Sequence, residues 1–74
     1  MSVLELYGAT SCPYTRELRE RLEWDQDEFI EYDVEADPAA RARLIAATGD
    51  RMVPALVRDG KVVSVGWQGR GCYV

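Results

Sequence analysis

Apolar positions in the 74-residue chain fall into short runs whose spacing alternates between strand and helix periods. Val3-Leu4-Glu5-Leu6-Tyr7 reads as a short buried strand, and Gly8-Ala9-Thr10-Ser11 follows as a small-residue loop. From Pro13 to about Trp24 the apolar positions Tyr14, Leu18 and Leu22 recur every four residues, which predicts a helix with one buried face. Its outer face is charged, with Glu17 and Arg21 in the favourable acidic-before-basic order one turn apart. The acidic stretch Asp25-Gln26-Asp27-Glu28 predicts a solvated loop, since nothing in the pattern makes its carboxylates converge.

Phe29 to Val34 predicts a second strand. Asp37-Pro38 is a strong helix start, an N-cap residue followed by proline at the first helical position. Ala40, Leu44 and Ala47, with Ile45 beside them, form a small-residue face, and Gly49 after Thr48 suits a left-handed C-terminal cap. Val53-Pro54 leads into a strand from Ala55 to Arg58, Asp59-Gly60 is a tight hairpin turn, and Lys61 to Val65 is the return strand. The tail from Gly66 to Val74 carries three glycines and is excluded as a stable helix. The predicted order β-α-β-α-β-β, with right-handed crossovers, makes the first two strands parallel and the last two antiparallel. That is an α/β fold with a mixed four-stranded sheet, in one domain spanning residues 1–74.

Composition changes this picture only at its edges. A 47% hydrophobic and 30% charged chain suits a folded domain near the lower size limit for a free-standing core. The net charge of −4 gives no footprint for nucleic acid or an anionic membrane, so neither is expected as a partner. No apolar run approaches the roughly 20 residues that span a bilayer, and no charged-then-apolar leader opens the chain. The expected compartment is the cytoplasm. Two cysteines are too few for a disulfide framework, and without histidine they cannot complete a four-ligand zinc site in one chain. No metal site is expected within the chain. Redox catalysis, or a metal or cluster held between subunits, remains.

The candidate chemistry sits in Thr10-Ser11-Cys12-Pro13-Tyr14-Thr15. Proline is tolerated at the first helical position because its missing N–H would be unpaired there. Cys12 therefore falls at or just before a helix start, where backbone donors and the dipole favour thiolate over thiol. With no histidine to act as base, activation must come from the helix N-terminus and from hydrogen bonds of Ser11, Thr15 or backbone N–H groups. A buried structural cysteine that happens to precede a helix is the plain alternative. It leaves Pro13-Tyr14 and Val53-Pro54 unexplained. A cysteine followed by two residues in a βαβ setting is a thioredoxin-like redox signature when a second cysteine closes it; here Thr15 stands in that place.

In these residues the chain resembles the glutaredoxins. The likeness runs over about residues 3–65: Cys12-Pro13-Tyr14, Glu31-Tyr32-Asp33-Val34, Asp37-Pro38, and Thr48-Gly49-Asp50-Arg51-Met52-Val53-Pro54. It is more closely similar to the small glutaredoxin-like UXX-star selenoprotein family. The shared stretches are Thr10 to Arg19 around Cys12 and the ending Gly66-Trp67-Gln68-Gly69-Arg70-Gly71-Cys72. The resemblance implies a minimal thioredoxin/glutaredoxin-like fold whose last helix is missing or replaced by the glycine-rich tail. It implies a thiol–disulfide oxidoreductase with Cys12 as nucleophile. Many members of that small family carry selenocysteine at this position, which leaves sulfur or selenium open as the native atom.

By the same resemblance, Val53-Pro54 carries a cis peptide bond and offers the Val53 backbone, unpaired, to an extended thiol substrate. Arg51 is expected to help hold a glutathione carboxylate. Pro13, Tyr14 and Thr15 are expected to border the thiol, with Tyr14 either a wall of the groove or part of the core. Three departures bear on glutathione: Ala9 replaces a lysine, Met52 replaces a threonine, and the tail lacks the Gly-Gly-x-Asp segment. Gly66-Trp67-Gln68-Gly69 is similar to the Trp-Ser-Gly-Phe segment of NrdH-type redoxins, which take electrons from thioredoxin reductase. The glutaredoxin chain after its fourth strand passes near the active cysteine. Cys72 would then resolve a mixed disulfide on Cys12 if their Cα atoms approach within roughly 7 Å; otherwise it is a tail thiol without a catalytic part. The tail glycines favour the first, by letting the tail swing in.

The resulting expectation is exchange with protein or small-molecule disulfides. No cofactor is tightly bound, and glutathione acts as a co-substrate. Glutathione or a thioredoxin-reductase-like enzyme would be the electron donor. Two other classes stand beside it. Monothiol glutaredoxins carry a two-iron, two-sulfur cluster between subunits. Cys12-x-x-Thr15 fits on cysteine count, but Pro13 does not match their usual Gly-Phe-Ser. A non-catalytic adapter would bind partners through an exposed face around Trp24 and Trp67.

Overall fold

The structure, a computed structural model, describes residues 3–74. Strand alternation decides which helix covers which face of the sheet. In β1 (Leu4–Gly8), successive side chains point to opposite faces. Leu4 and Leu6, with Leu56 of β4 (Ala55–Arg58), pack against Leu18 and Leu22 of α1 (Pro13–Trp24). Tyr7, with Ala55 and Val57, packs instead against Ala40 and Leu44 of α2 (Pro38–Thr48). The result is three layers, α1, sheet and α2.

The sheet has four strands in the order β2-β1-β4-β5, where β2 is Phe29–Asp33 and β5 is Lys61–Val65. Strand β1 runs parallel to β2 and antiparallel to β4, and β5 returns antiparallel along β4. This is the predicted mixed sheet. The described residues include no helix long and apolar enough to cross a membrane.

Three expectations are corrected. The buried face of α1 is Thr15, Leu18 and Leu22, while Tyr14 is only half-buried. A 3.6-residue repeat places Thr15, three before Leu18, as well on the core as a residue four before it. The tail, expected to swing freely, is folded. Trp67 and Arg70 exchange backbone hydrogen bonds of 2.6 and 3.0 Å across Gln68 and Gly69, whose φ values of 52° and 79° are those of a hairpin turn. The turn directs β6 (Cys72–Tyr73) antiparallel along β3 (Met52–Val53). The Val74 N–H donates to the Arg51 carbonyl at 3.0 Å and Arg41 Nη2 to the Val74 carbonyl at 3.2 Å, which pins the end of the ribbon. Trp67 is half-buried against the leucine cluster, so it does not form an exposed face with Trp24, which is 83% exposed.

Candidate functional site

The site is built where β1 hands the chain to α1. The Cys12 N–H donates to the Ala9 carbonyl at 3.0 Å, which closes the loop. Gly8 lies so close to Thr15 that a Cβ there would overlap the Thr15 methyl. Only glycine lets the first turn of α1 settle this tightly on the strand. Cys12 is the N-cap residue, extended at φ −89° and ψ 116°, with Pro13 in the first turn and no side-chain cap hydrogen bond. The Tyr14 and Thr15 N–H groups belong to the first turn, which has no intrahelical acceptors. An N-cap side chain ordinarily accepts from those positions. Cys12 makes no such bond while it is bridged to Cys72.

The hydroxyls expected to assist are engaged elsewhere. Ser11 donates to Glu35 Oε1 at 2.9 Å. Thr15 is completely buried, and its oxygen accepts from the Ala9 N–H at 3.3 Å. Thr15 thus joins the core rather than bordering a substrate, because its methyl is wedged on Gly8. Neither hydroxyl donates to the Cys12 sulfur. Thr10 braces the loop from the other side, donating to Asp33 Oδ2 at 2.8 Å. That hydroxyl first, and then the Glu35 and Ala36 N–H groups, outweigh desolvation and hold the Asp33 carboxyl below its usual range.

Cys12 is joined to Cys72 by a disulfide, with the two Cα atoms 6.0 Å apart. Val53-Pro54, whose peptide bond is cis, is buried beside the pair, and the Val53 carbonyl oxygen lies 4.0 Å from the Cys12 sulfur. Bridged to Cys72, that sulfur has no proton to donate. Four expected site residues, Cys12, Cys72, Val53 and Pro54, are therefore brought together. Tyr14 packs half-buried against the same cluster, Pro13 is exposed at the helix start, and Arg51 is exposed with no ion pair among the described residues.

Two further expectations are corrected here. Cys12 is 1% exposed rather than open to a substrate, and the Val53 backbone is not unpaired. Both follow from the ribbon, whose Cys72 faces Val53 in register. Gly71, directly before Cys72, lies against this ladder, where a Cβ would meet the Val53 carbonyl oxygen and the Met52 side chain. A surface hollow of about 290 Å³, lined by Val3, Glu28, Phe29 and Ile30, lies at the opposite end of β1 and takes no part.

The glutaredoxin family model matches residues 4–63. Among solved structures, a point mutant of the thioredoxin-like protein BC3987 is 35% identical. That match covers 92% of this chain and 86% of the other, with a TM-score of 0.81. The glutaredoxin from Archaeoglobus fulgidus is 20% identical over 92% of this chain and 78% of its own, at a TM-score of 0.79. A buckwheat glutaredoxin–glutathione complex is 22% identical over 88% of this chain and 61% of its own, at 0.72. The last two likenesses bear on the fold alone. No curated protein matches significantly.

Proposed function

The chain belongs to the glutaredoxin family, and on that premise we propose a thiol–disulfide oxidoreductase in which Cys12 is the nucleophile and Cys72 the resolving thiol. The observation that carries this reading is the Cys12–Cys72 bridge, set at the capped end of α1 and beside Val53-Pro54. In the first step the Cys12 thiolate attacks one sulfur of a substrate disulfide. The Cys12–sulfur bond forms, the substrate bond breaks, and the departing thiolate takes a proton from water. Cys72, after losing its proton to solvent, attacks the Cys12 sulfur and expels the second substrate thiolate. The substrate disulfide has gained two electrons, and the chain has lost the same two in forming its own bridge. A dithiol, or two molecules of glutathione, reopens that bridge. Such thiols abound in the cytoplasm, the compartment this reading assigns.

Within the proposal, Pro13 and Tyr14 border the reacting sulfurs and exposed Arg51 meets an anionic end of the substrate. Glutathione serves as a co-substrate and no bound cofactor takes part. The first-turn amides of α1 would serve a thiolate or a selenolate at position 12. The bridge supports exchange over cluster carriage, because a sulfur bonded to Cys72 cannot also ligate iron. Steady-state reduction of a small disulfide tests the reading. Cys12→Ser is expected to abolish turnover, and Cys72→Ser to stop at a mixed disulfide until glutathione is added. Retained turnover in Cys12→Ser contradicts the mechanism. Unchanged kinetics in Cys72→Ser, with a stable glutathione adduct, removes Cys72 as resolver.

A further inference from the structure

Strand β6 is a short extended segment laid antiparallel on β3, with Cys72 bridged to Cys12. Val53 faces Cys72, Met52 faces Tyr73, and the Val74 N–H reaches the Arg51 carbonyl. Main-chain pairing of this kind is indifferent to which chain carries the cysteine. One position is not indifferent. Gly71 has no positive φ, unlike Gly66 and Gly69, so its backbone does not require glycine. Space does. A Cβ at position 71 would stand 2.6 Å from the Val53 carbonyl oxygen and 2.8 Å from Met52 Cγ. A methionine side chain can swing aside, but a buried backbone carbonyl next to Pro54 cannot. The residue after the cysteine meets no such limit, since Tyr73 is 68% exposed.

We infer that the β3 edge is a binding site for an extended polypeptide thiol in which glycine immediately precedes the cysteine, and that residues 71–74 are its resident occupant. The inference rests on the exchange reading above and names its substrate class. The chemistry selected is a cysteine whose nitrogen carries an unbranched acyl group. Glutathione shares it, because its γ-linked glutamate presents a CH2 where an α-linked residue presents a substituted carbon. An external substrate reaches Cys12 only after β6 has been reduced and displaced. The captured species forms when the Cys12 thiolate attacks a symmetrical peptide disulfide, bonding one peptide and releasing the other as its thiolate.

The test uses the full-length Cys72→Ser protein, in which the seryl tail competes equally with every probe. It is mixed with the symmetrical disulfides of Gly-Arg-Gly-Cys-Tyr-Val and Gly-Arg-Val-Cys-Tyr-Val, and with glutathione disulfide, and adducts on Cys12 are followed by mass spectrometry. The glycine hexapeptide and glutathione are expected to react, and the valine hexapeptide about tenfold more slowly or worse. Equal rates for the two hexapeptides overturn the inference while leaving exchange at Cys12 intact. Adducts with none of the three overturn the exchange reading and this inference with it. Faster capture of the glycine hexapeptide than of glutathione supports a polypeptide source; the reverse overturns that source in favour of the γ-linked tripeptide. In a second variant, Gly71→Val with both cysteines kept, oxidation is expected to leave the internal bridge unformed and Cys12 open to glutathione. An internal bridge formed as readily as in the parent contradicts the steric argument.

Discussion

Helices α1 and α2 begin with the same backbone device, an extended N-cap residue followed by proline. Cys12 has φ −89° and ψ 116°, and Asp37 has φ −122° and ψ 99°. The Asp37 carboxylate accepts from the Ala39 and Ala40 N–H groups at 3.0 and 3.3 Å, so α2 starts with its orphan donors satisfied. Cys12 makes no such bond. In α1 no side chain takes the corresponding amides, and Cys12 is bonded to Cys72 instead; in the proposed mechanism the reduced sulfur would cover them as a thiolate. On the proposed mechanism, the difference between a helix start that only stabilises and one that reacts is the functional group at the cap, a carboxylate or a thiol. Where Asp37 closes the first turn of α2, the first turn of α1 carries no side-chain cap while Cys12 is bridged.

The largest effect that would sharpen this contrast is on activity. Cys12→Ser and Cys12→Ala should both lose disulfide exchange completely. Urea denaturation of the two should then differ by about 1 kcal/mol in favour of serine, whose hydroxyl can take the amides that alanine cannot. Equal stabilities would mean that the side chain at position 12 does not cap α1.

Reducing the Cys12–Cys72 bridge comes next. A cross-link over 60 residues restrains the unfolded chain strongly, and its loss should lower stability by about 2–4 kcal/mol. Amide exchange of residues 71–74 should rise at the same time, since the bridge is the one covalent tie on β6, beside a two-residue ladder and the hydrogen bonds at Val74. Unchanged protection in the reduced protein would show that the ribbon stays docked without it. Asp37→Ala should cost about 1 kcal/mol in denaturant titration and leave exchange at Cys12 untouched. A loss of exchange in that variant would break the separation between the two helix starts.

The smallest effect concerns acid. Asp33 is held below the usual carboxylate range by Thr10, so the link between the Cys12 loop and β2 contributes stability above the unfolded value near pH 4. That contribution is lost as pH falls through the lower folded value. Thermal melts at decreasing pH should show a shallower fall for Thr10→Val than for the parent. Parallel falls would place the acid sensitivity elsewhere.

Much of the scaffold was legible because its signals are local. Asp37-Pro38 and Gly49 marked both ends of α2, and Asp59-Gly60 marked the β4–β5 turn. Cys12 and Pro13 marked the start of α1 for the same reason. Strands β3 and β6 were not legible. Two residues each are too few for any period, and they meet only because the Trp67–Arg70 turn reverses a segment that reads as flexible by its glycines. Thr15 was misplaced because Tyr14 offers the more apolar side chain, whereas space beside Gly8 favours the smaller one. The proximity of Cys72 to Cys12 came from family likeness. Its cause, a ladder from Val53 to Cys72, is tertiary.

The direct test of the capping sulfur is an ultraviolet thiolate-absorbance titration of the reduced Cys72→Ser protein, which leaves Cys12 as the only thiol. The midpoint is expected below that of an ordinary cysteine thiol, and unmoved by Asp37→Ala. A midpoint at or above the ordinary value would contradict the account, because the α1 amides would then not be favouring the charged form.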